Sequence, residues 1–207
     1  MRKKMSTYLK VKHYHGTHKQ RFLVGILVGA ILLLSLQVAD AAQSDTSEYQ
    51  IKAASLVIFL KFVDWPQDLG SQSDPLIIGI LGEDPFGDAF KSVENTPVLG
   101  NQKLVIKRFG PYKKENDITK CNLLFICDSE RRNLEEILFL LNNSAVLTVS
   151  DVSKFVEQNG MIHLFISGAR LGFDINQKAI IETGLQIRSA LLQRARNVVR
   201  KDRERRN

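Results

Sequence analysis

Residues Ile51 to Pro66 read IKAASLVIFLKFVDWP. Length and good helix formers predict a helix over Glu48–Val63. Its polar positions, Lys52, Ser55, Lys61 and Asp64, do not share one face. A helix apolar nearly all round must be covered on more than one side. Trp65-Pro66 ends it, because the residue before a proline is pushed out of the helical region.

The segments C-terminal to this helix supply the cover. Pro75 to Gly82, PLIIGILG, is a continuous apolar run, as expected of a strand buried on both faces. EDPFGDAFKSV reads as a turn into a short helix, with Pro85 near its first position. VLGNQKLVIKRF carries a Gly-Asn turn and a second strand, Lys103–Phe109. CNLLFICD is a third strand, and Ser129 is placed to cap a helix running to Leu141. AVLTVSD is a fourth strand, and Lys154–Gln158 a short helix closed by Asn159-Gly160. MIHLFISGARLGFDIN predicts a hairpin around Ser167-Gly168. Asn176 then caps a last helix, Gln177 to about Val199, with Ile181, Leu185, Leu192, Ala195 and Val199 at spacings of three, four or seven. The expected fold is a single α/β domain: a mixed sheet with flanking helices and a C-terminal hairpin followed by a long helix.

The N-terminus reads as a targeting segment. Met1–Arg21 holds seven Lys or Arg and no acid, Phe22–Val38 is uncharged, and Ala39-Asp40-Ala41 is a small-x-small site. Together these describe a secretory signal peptide over 1–41, cut after Ala41. The alternative is an uncleaved anchor helix held with its N-terminus inside; seventeen residues is at the short edge of a span. Both place the later residues in the periplasm. Residues 42–47 form a polar leader, 48–195 the domain and 196–207 a basic tail.

The net charge of +7 misleads about partners. Residues 42–193 hold 15 basic and 19 acidic residues, whereas 194–207 hold seven basic and two acidic. The basicity is a tail effect and gives no nucleic-acid-binding face. Basic residues at a helix C-terminus oppose its dipole, and contact with anionic lipid is the functional alternative.

Chemistry is sparse. Of four histidines only His163 lies beyond the signal segment, mid-strand beside Leu164 and Phe165, so a Ser-His-Asp or Cys-His pair has one imidazole to use. It reads as a strand histidine held in the fold. Cys and His are too scattered for zinc, so no metal and no cofactor is expected. Gly79, Gly82 and Gly87 lack nucleotide-loop spacing, and Glu83 and Asp84 would repel phosphate. Glu83, Asp84 and Asp88 lack the pattern of a calcium loop. Cys121 and Cys127, six strand steps apart, are separated by about 20 Å, where a disulfide needs Cα atoms within about 7 Å. Two buried free thiols are expected.

The blocks IKAASLVIFLKFVDWP, IIGILGEDPFGDAF, CNLLFI, AVLTVSD and GMIHLFISGARLGFDINQKAIIETGLQIRSALLQRA come in an order and spacing that resembles the YfiR family, over about Glu48–Ala195. The resemblance implies an exported, non-enzymatic repressor. It would bind the periplasmic part of an inner-membrane diguanylate cyclase and lower cyclic-di-GMP output, and so biofilm formation. An outer-membrane lipoprotein partner and a homodimer are also implied. Cys121 matches the family's C-x-L-L position, but LIIGIL offers it no cysteine, so a redox role is not carried over.

On this reading Ile51–Trp65 is core, and part of it docks to another subunit or a membrane protein. Phe59, Phe62 and Trp65 are the interface candidates, since Trp and Phe are frequent anchors. The alternative is a small-molecule sensor or solute-binding protein feeding a sensor kinase. Its crevice would lie at the C-terminal ends of the strands, near Asp84, Phe86, Ser150 and Asp151. A hydrolase would need a nucleophile the sequence does not offer.

Overall fold

The computed structural model describes residues 48–66, 74–168 and 170–200. The signal segment with its cut at Ala41, the polar leader and the tail beyond 200 lie outside the described residues. Helix α1 spans 48–62. It ends where Val63–Asp64 (β1) pairs antiparallel with Gln186–Ile187 (β9). The Arg188 N–H donates to the Phe62 carbonyl at 2.9 Å, and its guanidinium reaches Asp64 at 2.8 Å.

Beneath α1 lies an eight-stranded mixed sheet. Its strands are β2 (Leu76–Leu81), β3 (Pro97–Leu99), β4 (Gln102–Gly110), β5 (Leu123–Ile126), β6 (Leu147–Ser150), β7 (Ile162–Ser167), β8 (Arg170–Asn176) and β10 (Asn197–Val199). The spatial order is β10-β8-β7-β6-β5-β2-β4-β3. β4, β2, β5, β6 and β7 run parallel; β3 and β8 are antiparallel to their neighbours β4 and β7, and β10 is parallel to β8. Successive side chains alternate between two cores. Ile78, Ile80, Leu123 and Phe125 join Leu56, Phe59 and Leu60 of α1 in one. Leu81, Leu124 and Ile126 join Leu134, Ile137 and Leu141 of helix α2 (Leu134–Leu141) in the other. The apolar run at Leu76–Leu81 is therefore covered on both faces, as its composition requires.

Three local expectations are corrected. EDPFGDAFKSV forms no helix: Ala89, Lys91 and Val93 bond back three residues in successive turns, while Arg108 holds Asp84 and the Gly87 carbonyl. Ser129 caps no helix; its hydroxyl accepts the Glu83 N–H at 2.9 Å, and α2 starts after Asn133. The long last helix is broken into pieces. Asn176 does cap α3 (Gln177–Glu182), accepting the Ala179 N–H. Gly184 then takes φ +79°, a left-handed conformation that stops the helix, and β9, α4 (Ser189–Leu192) and β10 follow. β10 brings Asn197–Val199 of the expected tail into the sheet beside β8.

Candidate functional site

The chain leaves β2 toward β4 on one side and passes through β5 and β6 on the other. The C-terminal ends of β2, β5 and β6 therefore flank a switch in strand order, where open α/β sheets leave a crevice. The N-terminal turn of α1 lies across this edge. Lys52, only 3 % exposed, places its ammonium 2.7 Å from Asp151 Oδ2, just after β6, and 2.5 Å from Glu48 Oε1. The same ammonium stands 4.4 Å from the Tyr49 ring centroid. The Tyr49 hydroxyl donates to Asp151 Oδ2 at 3.1 Å. Burial, then the Asp151 charge and this hydrogen bond, push the Tyr49 hydroxyl pKa well above its ordinary range.

The Tyr49 ring meets Phe86 edge-on at 5.3 Å, and Phe86 meets Phe125 at 4.8 Å, so this corner is rooted in the core. Tyr49 divides two clefts. One of about 360 Å³ is lined by Glu48, Lys52, Asp128, Asp151 and Phe165. The other, of about 490 Å³, is lined by Gln50, Pro85, Phe86 and Asp88.

The structure treats the expected crevice residues differently. Asp151 lies in the cluster. Phe86 is 4 % exposed and forms a wall. Asp84 is drawn to the other side, paired with Arg108 Nε at 2.6 Å and accepting the Phe86 N–H. Ser150 is fully buried; its hydroxyl donates to the Ile126 carbonyl and accepts the Val152 N–H. It holds β6 to β5 and lines neither cleft. Sequence reasoning missed Tyr49 and Lys52. The available hint was a lysine four residues after Glu48 in a helix otherwise apolar nearly all round.

The remaining reactive types are occupied by the fold. His163 lies in β7 with Nδ1 3.6 Å from Asp174, which Arg196 also grips. Cys121 and Cys127 are free and buried just outside the ends of β5. Burial pushes the Cys121 thiol up to about 11. Burial and the charges of Asp151, Asp84 and Glu130 push Cys127 up as well. Among the described residues no group of three or more His, Cys, Asp or Glu is arranged to hold a metal.

The interface candidates also separate. Phe59 is 2 % exposed and packs edge-on against Phe173 at 5.3 Å. Phe62 and Trp65 are half-buried against the same core. The outward face of α1 is instead Ile51, Ala54, Ile58 and Lys61, with Ile51 and Ile58 each more than 40 % exposed. Among the described residues no helix is long and apolar enough to cross a membrane.

No curated protein matches the chain. Residues 49–196 match the model of the YfiR/HmsC-like domain, a span from the first turn of α1 to the start of β10. The chain therefore belongs to the YfiR/HmsC-like family, whose members are periplasmic regulators.

Proposed function

We propose that this protein is exported and acts by binding. It holds the periplasmic part of an inner-membrane diguanylate cyclase in its inactive state, and so lowers cyclic-di-GMP output. Such a repressor must bind the inactive form of its target more tightly, since a ligand shifts an equilibrium only by its difference in affinity. Family membership over 49–196 carries the reading. The exposed stripe Ile51, Ala54 and Ile58 supports a docking role for α1, with Phe62 and Trp65 at its C-terminal end. Phe59 supports that face from beneath. An outer-membrane lipoprotein that relieves repression, and self-association, complete the scheme.

The test is intracellular cyclic-di-GMP in a strain lacking the protein, beside a complemented control. A rise reversed by complementation is expected. An unchanged level with candidate cyclases expressed would overturn the cyclase reading.

The clefts beside Tyr49 favour a second reading, a small-molecule sensor feeding a sensor kinase. Native mass spectrometry of protein purified from the periplasm tests it: a retained small molecule lost in Asp151→Asn supports a sensor, and ligand-free protein opposes it.

A further inference from the structure

β3 forms one end of the sheet. At the other end β8 is covered only in part. It pairs with β7 from Arg170 to Asn176, but with β10 only from Asp174 to Asn176. Two hydrogen bonds fix the direction of its backbone groups. The Asn176 N–H donates to the Met161 carbonyl, toward β7; the Phe173 carbonyl accepts the Arg196 N–H, away from β7. Backbone groups change sides at each residue of a strand. The Leu171 N–H and C=O and the Phe173 N–H therefore point out of the sheet, and no hydrogen bond joins them to another described residue.

An open edge of this kind is a template for strand pairing, and folds without a use for it usually block it. Cover here is partial: the chain entering β10 reaches Phe173 through the Arg196 N–H, the outward groups of Leu171 stay open among the described residues, and what guards them is positive charge, which a partner of opposite sign would satisfy. Arg170 and Arg194 are exposed and form no ion pair among the described residues. Arg196, at the same edge, grips Asp174 with both arms and lies 3.8 Å from the Phe165 ring centroid. Its partner Asp174 is spent on that contact, so the edge keeps a net positive charge.

We propose that the open edge of β8 receives an extended, acidic segment of a partner polypeptide, which adds beside Leu171 as a further strand while its carboxylates meet Arg170 and Arg194. Main-chain hydrogen bonds would supply affinity and the arginines selectivity. Unsatisfied backbone groups select a polypeptide; a lipid surface would use the arginines alone. The site does not depend on whether the regulatory target is a cyclase.

The probe is a fluorescein-labelled eight-residue peptide alternating Glu and Val, with a Lys-Val peptide as control, titrated against the exported protein by polarisation. Leu171→Pro removes one outward donor and leaves the β7 pairing intact, as proline on an edge strand allows. Saturable binding of the acidic peptide, weakened by salt and at least ten-fold weaker in Leu171→Pro, is expected, with slowed exchange of the Leu171 and Phe173 amides. The double variant Arg170→Glu, Arg194→Glu should lose binding as well. It keeps the test decisive should Leu171→Pro misfold. Absence of saturable binding, wild-type affinity in a folded Leu171→Pro, or binding only to phosphatidylglycerol vesicles would overturn the proposal.

Discussion

At the scale of single residues the molecule is governed by what it buries. Lys52 is the clearest case: its ammonium is enclosed, and among the described residues Glu48 and Asp151 balance it. Removing one member of a buried ion pair leaves a carboxylate without its counter-charge. Lys52→Met should therefore destabilise the fold by about 3 kcal/mol, read from urea denaturation. Glu48→Gln should cost less, because Glu48 is one-third exposed and Asp151 remains. The buried thiols and Tyr49 set a pH dependence. Each has a raised folded-state pKa, from 9.0 to about 11 for Cys121, so the unfolded chain releases these protons first. The Cys121 contribution is complete below about pH 9 and is lost as pH rises toward 11, while those of Cys127 and Tyr49 decline in the same direction and persist to higher pH. The urea midpoint should be flat from about pH 7 to 8.5 and fall above about 9, with a shallower fall in Cys121→Ala. Free thiols were legible in the sequence from the cysteine spacing alone. The Tyr49–Lys52–Asp151 cluster was not, because a lysine in a greasy helix does not reveal which strand end it meets ninety-nine residues later.

At the scale of elements, α1 departs from the expectation that a helix apolar nearly all round is covered on more than one side. Its inner face fills the larger core, and its outer face stays apolar and exposed. Two substitutions one residue apart should separate these roles. Phe59→Ala should cost about 3 kcal/mol or more in stability. Ile58→Glu should change stability by less than about 0.5 kcal/mol, yet fail to restore cyclic-di-GMP levels in the deletion strain. A fully complementing Ile58→Glu would remove α1 from the docking surface. The end of α3 shows where pattern reading stops. Ile181, Leu185 and Leu192 carry helical spacing, but Ile181 is exposed and Leu185 is buried, because Gly184 turns the chain between them. The glycine was visible; that it outweighs the periodicity depends on β1 and β10's neighbour β8 offering partners to the segments beyond. Gly184→Ala should lower stability by about 1 kcal/mol through backbone strain alone, since its Cβ would meet Pro66 at an ordinary 3.6 Å. Thermal melting checks it.

For the molecule as a whole, the question is whether its two cores behave as one. They lie on opposite faces of one sheet, and adjacent residues of a strand serve both: Leu123 and Phe125 one core, Leu124 and Ile126 the other. Melting either core removes the backing of the other, which argues for a single cooperative transition. The sequence showed the alternation of strands and helices, and so the fold class. It did not show the strand order, because pairing between distant segments is decided by packing and not by local pattern. The least integrated part is the two-stranded β1–β9 clasp, only two residues a side and held by the exposed Arg188–Asp64 pair, which contributes little. Trp65, the only tryptophan, lies directly after that clasp. Its fluorescence therefore reports the clasp while far-ultraviolet circular dichroism reports the sheet. The two should trace one superimposable urea transition, because Phe62 and Trp65 both rest on the larger core and the clasp cannot open without uncovering it. A fluorescence change at lower urea would instead show that the end of α1 releases by itself, and that the proposed docking helix carries a hinge at its C-terminus.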